Sequence, residues 1–316
     1  MVTMDHSEIA NDADKVICLD NGELIYTGEQ EEILCKSSQS ETNIKLNQRK
    51  RKKNFDDYNP VLMKIKHLGF SYEKDIFTIE NISFDIHPGK ILGIVGQNGS
   101  GKSTMAKILS GICKPKKGHI EIEGEKITKA KRAKLTDFVG LIVQNPKRQF
   151  VTNSVEEDIL ITMKCNSDDK NLQLNDVEYK IDEILEQAGL SDLKQAHPLS
   201  LSAGEQQRLA IAIMTLYPKK ILIFDEPTYG LDWKSIKWVK GMISKLVTKD
   251  ISFILISQDM KIISEIADRV LVLSKGKVIF DDLPDKLFRS PQILKDSSLE
   301  PPSFYGDLAS YQPETK

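Results

Sequence analysis

The sequence has 316 residues, 40% of them hydrophobic, with 44 lysine and arginine residues against 46 aspartate and glutamate residues. The resulting net charge of −2 argues against a strong general attraction to nucleic acid. The chain shows neither the roughly 18–20 consecutive apolar residues of a membrane-spanning helix nor the basic, then apolar, start of a secretory signal. These features predict a cytosolic α/β protein with one large domain or two small ones.

The beginning of the chain resembles a stretch near its end. Residues 13–25 align with residues 267–279 at a constant offset of 254, and the register holds without gaps from Met4 to Leu34. Each copy predicts a helix, a strand, a tight turn, a second strand and a short helix. Residues 1–35 therefore resemble the end of a domain whose body is missing. The alternative is a chance similarity between two hairpins, which a gapless alignment of this length disfavours.

The next stretch, residues 36–60, is rich in Ser, Gln, Asn and Lys and contains the basic run Arg49–Lys53. This composition predicts a flexible linker. Contact of the basic run with anionic lipid headgroups or with nucleic acid stays open as an alternative.

The central motif of the chain stands between a predicted buried strand, Lys90–Val95, and a predicted helix, Met105–Ser110. It matches G-x-x-x-x-G-K-[ST], the phosphate-binding loop, and consists of Gly96, Gln97, Asn98, Gly99, Ser100, Gly101, Lys102, Ser103 and Thr104. The backbone N–H groups of such a loop and the helix N-terminus attract phosphate. We expect Lys102 to reach the β- and γ-phosphates of a nucleotide and Ser103 to ligate Mg²⁺.

Further elements are predicted on both sides of this loop. The predicted strands are Met63–Leu68, Asn81–Ile86, Ile120–Glu123, Phe138–Val143, Lys220–Phe224 and Phe253–Ile256. The charged region 154–198 has only helix signals, which predicts a helical insertion, and Leu209–Met214 predicts another helix. Asp225 and Glu226 follow a buried strand, where the Mg²⁺ of a bound nucleotide would lie.

Together these residues resemble the ATP-binding cassette (ABC) ATPases over residues 61–290. The matching motifs are the phosphate loop, a Q-loop glutamine at Gln144, a signature-like segment at Leu201–Gln206 with Ala203 and Glu205 as mild departures, a Walker B-like strand at Ile221–Glu226 and a D-loop-like segment at Tyr229–Asp232. The resemblance implies an α/β fold: a phosphate-loop core with a mostly parallel sheet flanked by helices, an antiparallel β subdomain and a helical signature subdomain.

The resemblance also implies a role for each matching residue. Family members work as head-to-tail dimers that hold ATP between one phosphate loop and the other subunit's signature. By this resemblance, Tyr72 would stack on adenine and Lys102 would hold the phosphates. Ser103 and Gln144 would ligate Mg²⁺, Asp225 would act on it through water, and Glu226 would be the general base. Ser202 and Gly204 would contact the γ-phosphate of the opposite site, and Asp232 would couple the two sites. The chain is thus expected to be an ATPase that uses ATP and Mg²⁺.

One position departs from the family pattern. The family usually has a histidine in a T-H-D context after the strand that follows Walker B, and here the same place holds Ser257-Gln258-Asp259. A glutamine donates a hydrogen bond but neither carries charge nor relays a proton. We therefore expect Gln258 to leave a site that binds ATP and turns it over slowly, with a tolerated substitution of little effect as the alternative.

Within the family, the details resemble the ATPase subunits of energy-coupling-factor (ECF) and cobalt-type importers. Gln144–Gln149 fits that group's Q-N-P-x-x-Q, and Ser154–Asp158 is similar to its T-V-E-E-D. The resemblance implies a motor for uptake of a vitamin or metal ion, peripheral at the cytoplasmic face of the cell membrane. Its implied partners are a second cassette in a homo- or heterodimer, a transmembrane scaffold subunit and a separate substrate-binding membrane subunit. No nucleic-acid partner is expected.

The expected organisation has four parts: residues 1–35 as the C-terminal remnant of a preceding cassette, 36–60 as a basic flexible linker, 61–290 as a complete cassette and 291–316 as a loose tail. Such a chain would be a truncated or split product of a tandem protein. Two other functions stay open, namely a soluble cassette ATPase that acts on ribosomes or DNA and a degenerate regulatory cassette with slow turnover.

Overall fold

The computed structural model describes residues 16–20, 23–28, 60–73, 78–166, 174–216, 219–247 and 251–302. The strands are β1 Val16–Asp20, β2 Glu23–Gly28, β3 Met63–Phe70, β4 Ile79–Ile86, β5 Ile91–Val95, β6 Lys117–Ile122, β7 Glu125–Lys126, β8 Val139–Ile142, β9 Ile221–Asp225, β10 Ser252–Ile256, β11 Arg269–Ser274 and β12 Lys277–Asp282. The helices are α1 Lys102–Leu109, α2 Ala133–Phe138, α3 Val155–Asn166, α4 Leu174–Ala188, α5 Ala203–Thr215, α6 Trp233–Val247, α7 Met260–Ile266, α8 Pro284–Phe288 and α9 Pro291–Ser297.

A six-stranded sheet, in the order β12-β11-β5-β10-β9-β8, forms the centre of the fold. Its strands run parallel except for β12, which pairs antiparallel with β11. Every residue of β5, β9 and β10 is buried. Short, continuously apolar strands of this kind fit a parallel sheet that is covered on both faces. The expected mostly parallel sheet flanked by helices is confirmed.

A second, antiparallel sheet has the order β4-β3-β6-β7. One hydrophobic cluster joins it to the central sheet through α1, whose residues Met105 and Ile108 are buried among Ile65 of β3, Ile254 of β10 and their neighbours. The helix after the phosphate loop is therefore fixed by packing from both sheets, which holds the loop in place. The expected antiparallel subdomain is confirmed.

The predicted helical insertion, residues 154–198, is present as α3 and α4, which pack on the first turns of α5. These helices share a core that includes Ile159, Leu185 and Leu209. α4 ends before Gly189, which has a φ of 64° and so provides the predicted stop. No described helix is both long and apolar enough to cross a membrane.

Two elements inside the cassette differ from the sequence-based expectation. α5 begins at Ala203 and not near Leu209, because Ser202 and Glu205 form a capping box that starts the helix within the signature-like segment. Phe138, expected in a strand, ends the short helix α2 instead.

The tail expected to be loose from residue 291 begins with a helix instead. α9 packs Leu294, 7% exposed, against the core of the cassette. Its Pro291 lies in the first turn of the helix, where the missing backbone N–H of proline costs nothing. A loose tail was expected because of its prolines, but a proline in the first turn of a helix is well tolerated. Residues 303–316 lie outside the described part of the chain.

At the beginning of the chain, β1 and β2 form an antiparallel pair. The linker up to residue 59 and the helices expected on either side of this hairpin lie outside the described residues.

Candidate nucleotide-binding site

The phosphate-loop motif connects the end of β5 to the start of α1, as the sequence predicts. A Cβ atom at Gly96 would collide with the carbonyl oxygen of Leu273 in the neighbouring strand β11. Gly101 precedes the helix with a φ of 107°, in the left-handed region. These glycines let the chain turn tightly between strand and helix, so that the loop curls around the N-terminus of α1.

The side chain of Lys102 is folded back onto this loop. Its Nζ donates hydrogen bonds to the carbonyl oxygens of Gly96 at 2.6 Å and Gln97 at 2.9 Å. Burial lowers the pKa of the Lys102 ammonium, while Glu226 and Asp225 act in the opposite direction. A buried cation held by neutral carbonyl groups is well prepared to bind an anion, because a phosphate oxygen supplies the negative charge that the carbonyls lack.

Asp225 is the last residue of β9 and is 7% exposed. Burial raises the pKa of its carboxyl, although a hydrogen bond with Ser103 and the charge of Lys102 favour the ionised form. Its Oδ1 atom is buried and has no hydrogen-bond partner in the described part of the chain. An unpartnered carboxylate oxygen beside a hydroxyl fits Mg²⁺, a hard cation that takes oxygen ligands.

Gln144 lies at the same end of the sheet as Asp225. It follows β8, whose Ile142 pairs with Phe224 of β9, and it is exposed. The described residues contain no group of three or more His, Cys, Asp or Glu side chains that could hold a metal ion. A magnesium ion here would therefore complete its ligands with phosphate oxygens and water.

Glu226 directly follows β9 and has a φ of 50°, which is unusual for a residue with a side chain. Its Oε2 accepts a hydrogen bond from the backbone N–H of Gln258 at 3.2 Å and another from the Ser257 hydroxyl at 3.4 Å. Its Oε1 is buried without a partner in the part of the chain described here. Burial raises the pKa of this carboxyl, and Asp225 adds to the effect. One oxygen is thus fixed and the other is free to accept a proton.

The sequence did not predict the contact of Ser257 with Glu226. Ser257 is fully buried, and its hydroxyl also accepts the backbone N–H of Asp259. Its position beside Gln258 was the only available signal, and a serine at a strand end is too common to indicate such a contact by itself.

Gln258 contacts the phosphate loop directly. Its Nε2 donates a hydrogen bond to Oδ1 of Asn98 at 2.6 Å, and both side chains are exposed. The residue that departs from the family pattern therefore links the end of β10 to the loop through a neutral amide.

Tyr72 lies beside the start of α1. Its hydroxyl is 3.3 Å from Oγ1 of Thr104, and its ring packs edge-on against Phe70 with 4.9 Å between the ring centres. The side chain is 58% exposed. An exposed aromatic ring next to a phosphate-binding loop offers a surface on which a nucleobase can stack.

The signature-like and D-loop-like segments meet each other. Ser202 caps α5, Asp232 accepts the backbone N–H of Ser235 at 2.6 Å, and a Cβ atom at Gly204 would collide with the Ser235 side chain. In the described part of the chain, Ser202, Gly204 and Asp232 form no hydrogen bond with the phosphate loop. The structure therefore groups the predicted site residues into two clusters, one around the loop and one at the signature.

Comparisons with known proteins agree with this geometry. The ABC transporter family matches residues 79–229. The energy-coupling factor transporter ATP-binding protein EcfA1 of Mycoplasmoides gallisepticum is 36% identical over 254 residues, which cover 80% of this chain and 88% of that protein. The putative HMP/thiamine import ATP-binding protein YkoD of Bacillus subtilis is 32% identical over 238 residues, which cover 75% of this chain and 42% of that protein.

Solved structures show the same fold. CbiO1 of Clostridium perfringens, part of the ABC transporter complex CbiONQ, superposes with a TM-score of 0.64 at 26% identity, and the match covers 79% of this chain and 99% of that one. The ATP-binding cassette MJ0796, a dimer in a post-hydrolysis state with ADP and Pi, superposes with a TM-score of 0.63 at 23% identity, over 71% of this chain and 99% of that one. The chain therefore belongs to the ATP-binding cassette family and is an ATP-hydrolysing subunit of the kind that powers transporters.

Proposed function

We propose that this ATPase drives an importer of the ECF type, which takes up a vitamin or a metal ion. The main support for ATP hydrolysis is the carboxylate pair Asp225–Glu226 near Lys102. Asp225 is buried, Glu226 is partly buried, and each acid has one buried oxygen without a partner among the described residues. The likeness to EcfA1 over most of that protein's length supports the ECF type. The likeness to EcfA1 and to CbiO1 of the CbiONQ complex also supports a peripheral position at the cytoplasmic face of the membrane.

In the proposed mechanism, the phosphate loop and Lys102 bind the phosphates of ATP, and Tyr72 stacks on the adenine. Ser103, Gln144 and Asp225 would hold Mg²⁺, which neutralises phosphate charge when it is bound. In phosphoryl transfer the protein acts mostly by positioning groups and by stabilising charge.

Glu226 is the general base of this mechanism. Its free Oε1 accepts a proton from the attacking water, while Ser257 and the backbone of Gln258 hold its Oε2 in place. The raised pKa makes the ionised carboxylate a stronger base than an exposed glutamate. Gln258 cannot relay a proton, so turnover at this site is slow.

The second cluster serves a second cassette. Ser202 and Asp232 are exposed at the N-termini of α5 and α6, and Gly204 lies one residue inside α5. In a head-to-tail dimer, Ser202 and Gly204 bind the γ-phosphate held by the partner's loop, and Asp232 couples the two sites. A transmembrane scaffold subunit and a substrate-binding membrane subunit complete the importer.

Fractionation of cells that express the tagged full chain tests the transport assignment. We expect to find the chain in the membrane fraction. After detergent extraction it should be recovered together with a protein of several membrane spans. The chain should hydrolyse ATP faster in that complex than alone. Recovery with ribosomes or DNA, and not with membranes, would refute the transport role and support a soluble cassette ATPase.

A further inference from the structure

The hairpin β11–β12 forms one wall of the phosphate loop. The carbonyl oxygen of Leu273 lies so close to Gly96 that it leaves no room for a side chain there. The backbone N–H of Gly276, in the hairpin turn, donates a hydrogen bond to the carbonyl of Ser100 at 3.1 Å. β11 also pairs in parallel with β5, the strand that leads into the loop. The hairpin is therefore part of the architecture of the nucleotide site as well as an edge of the sheet.

The N-terminal hairpin β1–β2 has the same backbone register as this wall. Val16 pairs with Gly28 as Val270 pairs with Asp282, and the five residue pairs of each hairpin are related by the offset of 254. The irregularity falls between Cys18 and Leu19 in one hairpin and at the equivalent Val272 and Leu273 in the other. A shared bulge is strong evidence of equivalence, because a β-bulge fixes the local bend of a hairpin and the faces its residues occupy.

The sequence of β1 suits a strand with neighbours on both sides. Its residues Val16-Ile17-Cys18-Leu19 stand where β11 has Val270-Leu271-Val272-Leu273, all of which are completely buried. Among the described residues β1 pairs only with β2, in a two-stranded sheet. An isolated two-stranded hairpin is marginally stable in water, and such an apolar strand is stabilised when its other edge is paired.

We propose that β1–β2 is the phosphate-loop wall of a second nucleotide site, in which β1 pairs in parallel with the loop strand of an ABC cassette that has no such hairpin of its own; in a complete cassette β11 already occupies that edge. The backbone carbonyl of Leu19 then lies against the first glycine of that cassette's loop, as Leu273 lies against Gly96. This inference rests on the expectation from the sequence that residues 1–35 are the end of a preceding cassette, and on the proposed function of the complete cassette as a nucleotide-binding ATPase. It does not depend on the rate of hydrolysis at this chain's own site.

A transplant of the hairpin within the full chain tests the inference. Residues 270–282 are replaced by residues 16–28, which keep the register and put Gly22 in place of Gly276. The matched control replaces the same positions by residues 15–27, a shift of one residue that turns every side chain to the opposite face. A second transplant retains Asp281, because Thr27 would otherwise remove the carboxylate that pairs with Arg269.

Binding of a fluorescent ATP analogue and the thermal unfolding midpoint are measured for all variants. We expect the in-register transplants to bind the analogue within about threefold of the wild-type Kd and the shifted control to lose binding and unfold at lower temperature. If both in-register transplants fail as the control does, the inference is overturned. Failure of the wild type to bind the analogue would instead refute the proposed function, and the unfolding midpoints would still report on the hairpin.

Hydrogen exchange on the assembled membrane complex, purified through a tag on the full chain, tests the pairing itself. The amides of Val16–Leu19 should exchange as slowly as those of Val270–Leu273 in the complex, and faster in the isolated chain. Rapid exchange of Val16–Leu19 in the complex would contradict pairing with a second cassette.

Discussion

Glu226, the proposed general base, is held in place by contacts within the chain itself. Its backbone turns through a left-handed φ of 50°, and the end of β10 holds one carboxylate oxygen through Ser257 and Gln258. A strained backbone conformation of this kind persists only where surrounding contacts enforce it. Its Oε1 is therefore held in one direction and has no hydrogen bond among the described residues that an attacking water would have to replace.

The charges of this site cost stability in the absence of nucleotide. Burial raises the pKa of Asp225, so its contribution to stability is complete below the unfolded pKa and is lost as the pH rises through the folded pKa. The buried carboxyl of Asp225 therefore makes the nucleotide-free protein less stable at neutral pH than at acidic pH.

We expect Asp225→Asn to raise the unfolding midpoint of the nucleotide-free protein at neutral pH by about 2–4 °C. This is the shift that a gain of roughly 1 kcal/mol in the free energy of unfolding produces in a domain of this size. The gain should disappear at acidic pH, where Asp225 is protonated, and ATP hydrolysis should be lost. Thermal unfolding across a pH series checks this, with the exposed Asp192→Asn as a control that leaves the midpoint unchanged. A gain that is equal at every pH would contradict the assignment of the cost to the buried charge.

Gln258 departs from the family pattern, and its replacement tests whether it causes the proposed slow turnover. We expect Gln258→His to raise kcat by about tenfold, because an imidazole near the γ-phosphate supplies the proton relay that the amide lacks. Gln258→Ala removes the hydrogen bond to Asn98 without adding an imidazole, and it should not raise the rate. Steady-state phosphate release measures all three proteins. An unchanged rate in Gln258→His would show that glutamine is simply tolerated here.

At the scale of elements, the N-termini of α5 and α6 support each other. Gly204 in the first turn of α5 packs directly on Ser235 of α6, and Asp232 caps α6. This contact fixes the signature-like segment relative to the D-loop-like segment.

Because no Cβ atom fits between these helices, we expect Gly204→Ala to lower the free energy of unfolding by about 1–3 kcal/mol. Ser235→Ala in the same chain removes the colliding hydroxyl and should restore part of the loss. The matched control is Gly241→Ala in α6, where a new Cβ meets no atom within 4 Å and helix propensity predicts a gain of about 0.5–1 kcal/mol. Urea unfolding measures the series, and equal effects of the two Gly→Ala changes would contradict the packing argument.

The sequence predicted the buried strands and the amphipathic helix α4 well, because continuous apolar runs and helical periodicity are local signals, but it gave no prediction for the long helix α6. It placed the start of α5 too late, because Leu209 begins the apolar run whereas the capping box at Ser202 begins the helix. It also missed α2, whose six residues bury only Leu135 and so carry little periodicity.

For the candidate site, the sequence located the loop, Asp225 and Glu226, since motif spacing is local too. The contacts of Leu273 with Gly96 and of Ser257 with Glu226 join residues that are far apart in the chain. No local pattern encodes them, and they depend on the order of strands in the sheet. The register of β1–β2 is an exception, because the repeat itself predicted a hairpin equivalent to β11–β12.

At the scale of the whole molecule, the two clusters of site residues imply an assembly. The phosphate-loop cluster has a base, a cation and an exposed aromatic ring, whereas the signature cluster makes no hydrogen bond with it in the described part of the chain. In the proposed head-to-tail arrangement each cluster meets its complement on another cassette. The pairing proposed for the hairpin β1–β2 would likewise place this chain beside another cassette.

The most direct test of the whole account compares the full-length wild type with Glu226→Gln in single-turnover hydrolysis of ATP. Glutamine keeps the shape of the side chain and removes its capacity to accept a proton. We expect both proteins to bind ATP with similar affinity and the variant to release phosphate about 10²–10⁴-fold more slowly. Equal rates of phosphate release in the two proteins would show that Glu226 is not the base and would contradict the account at its centre.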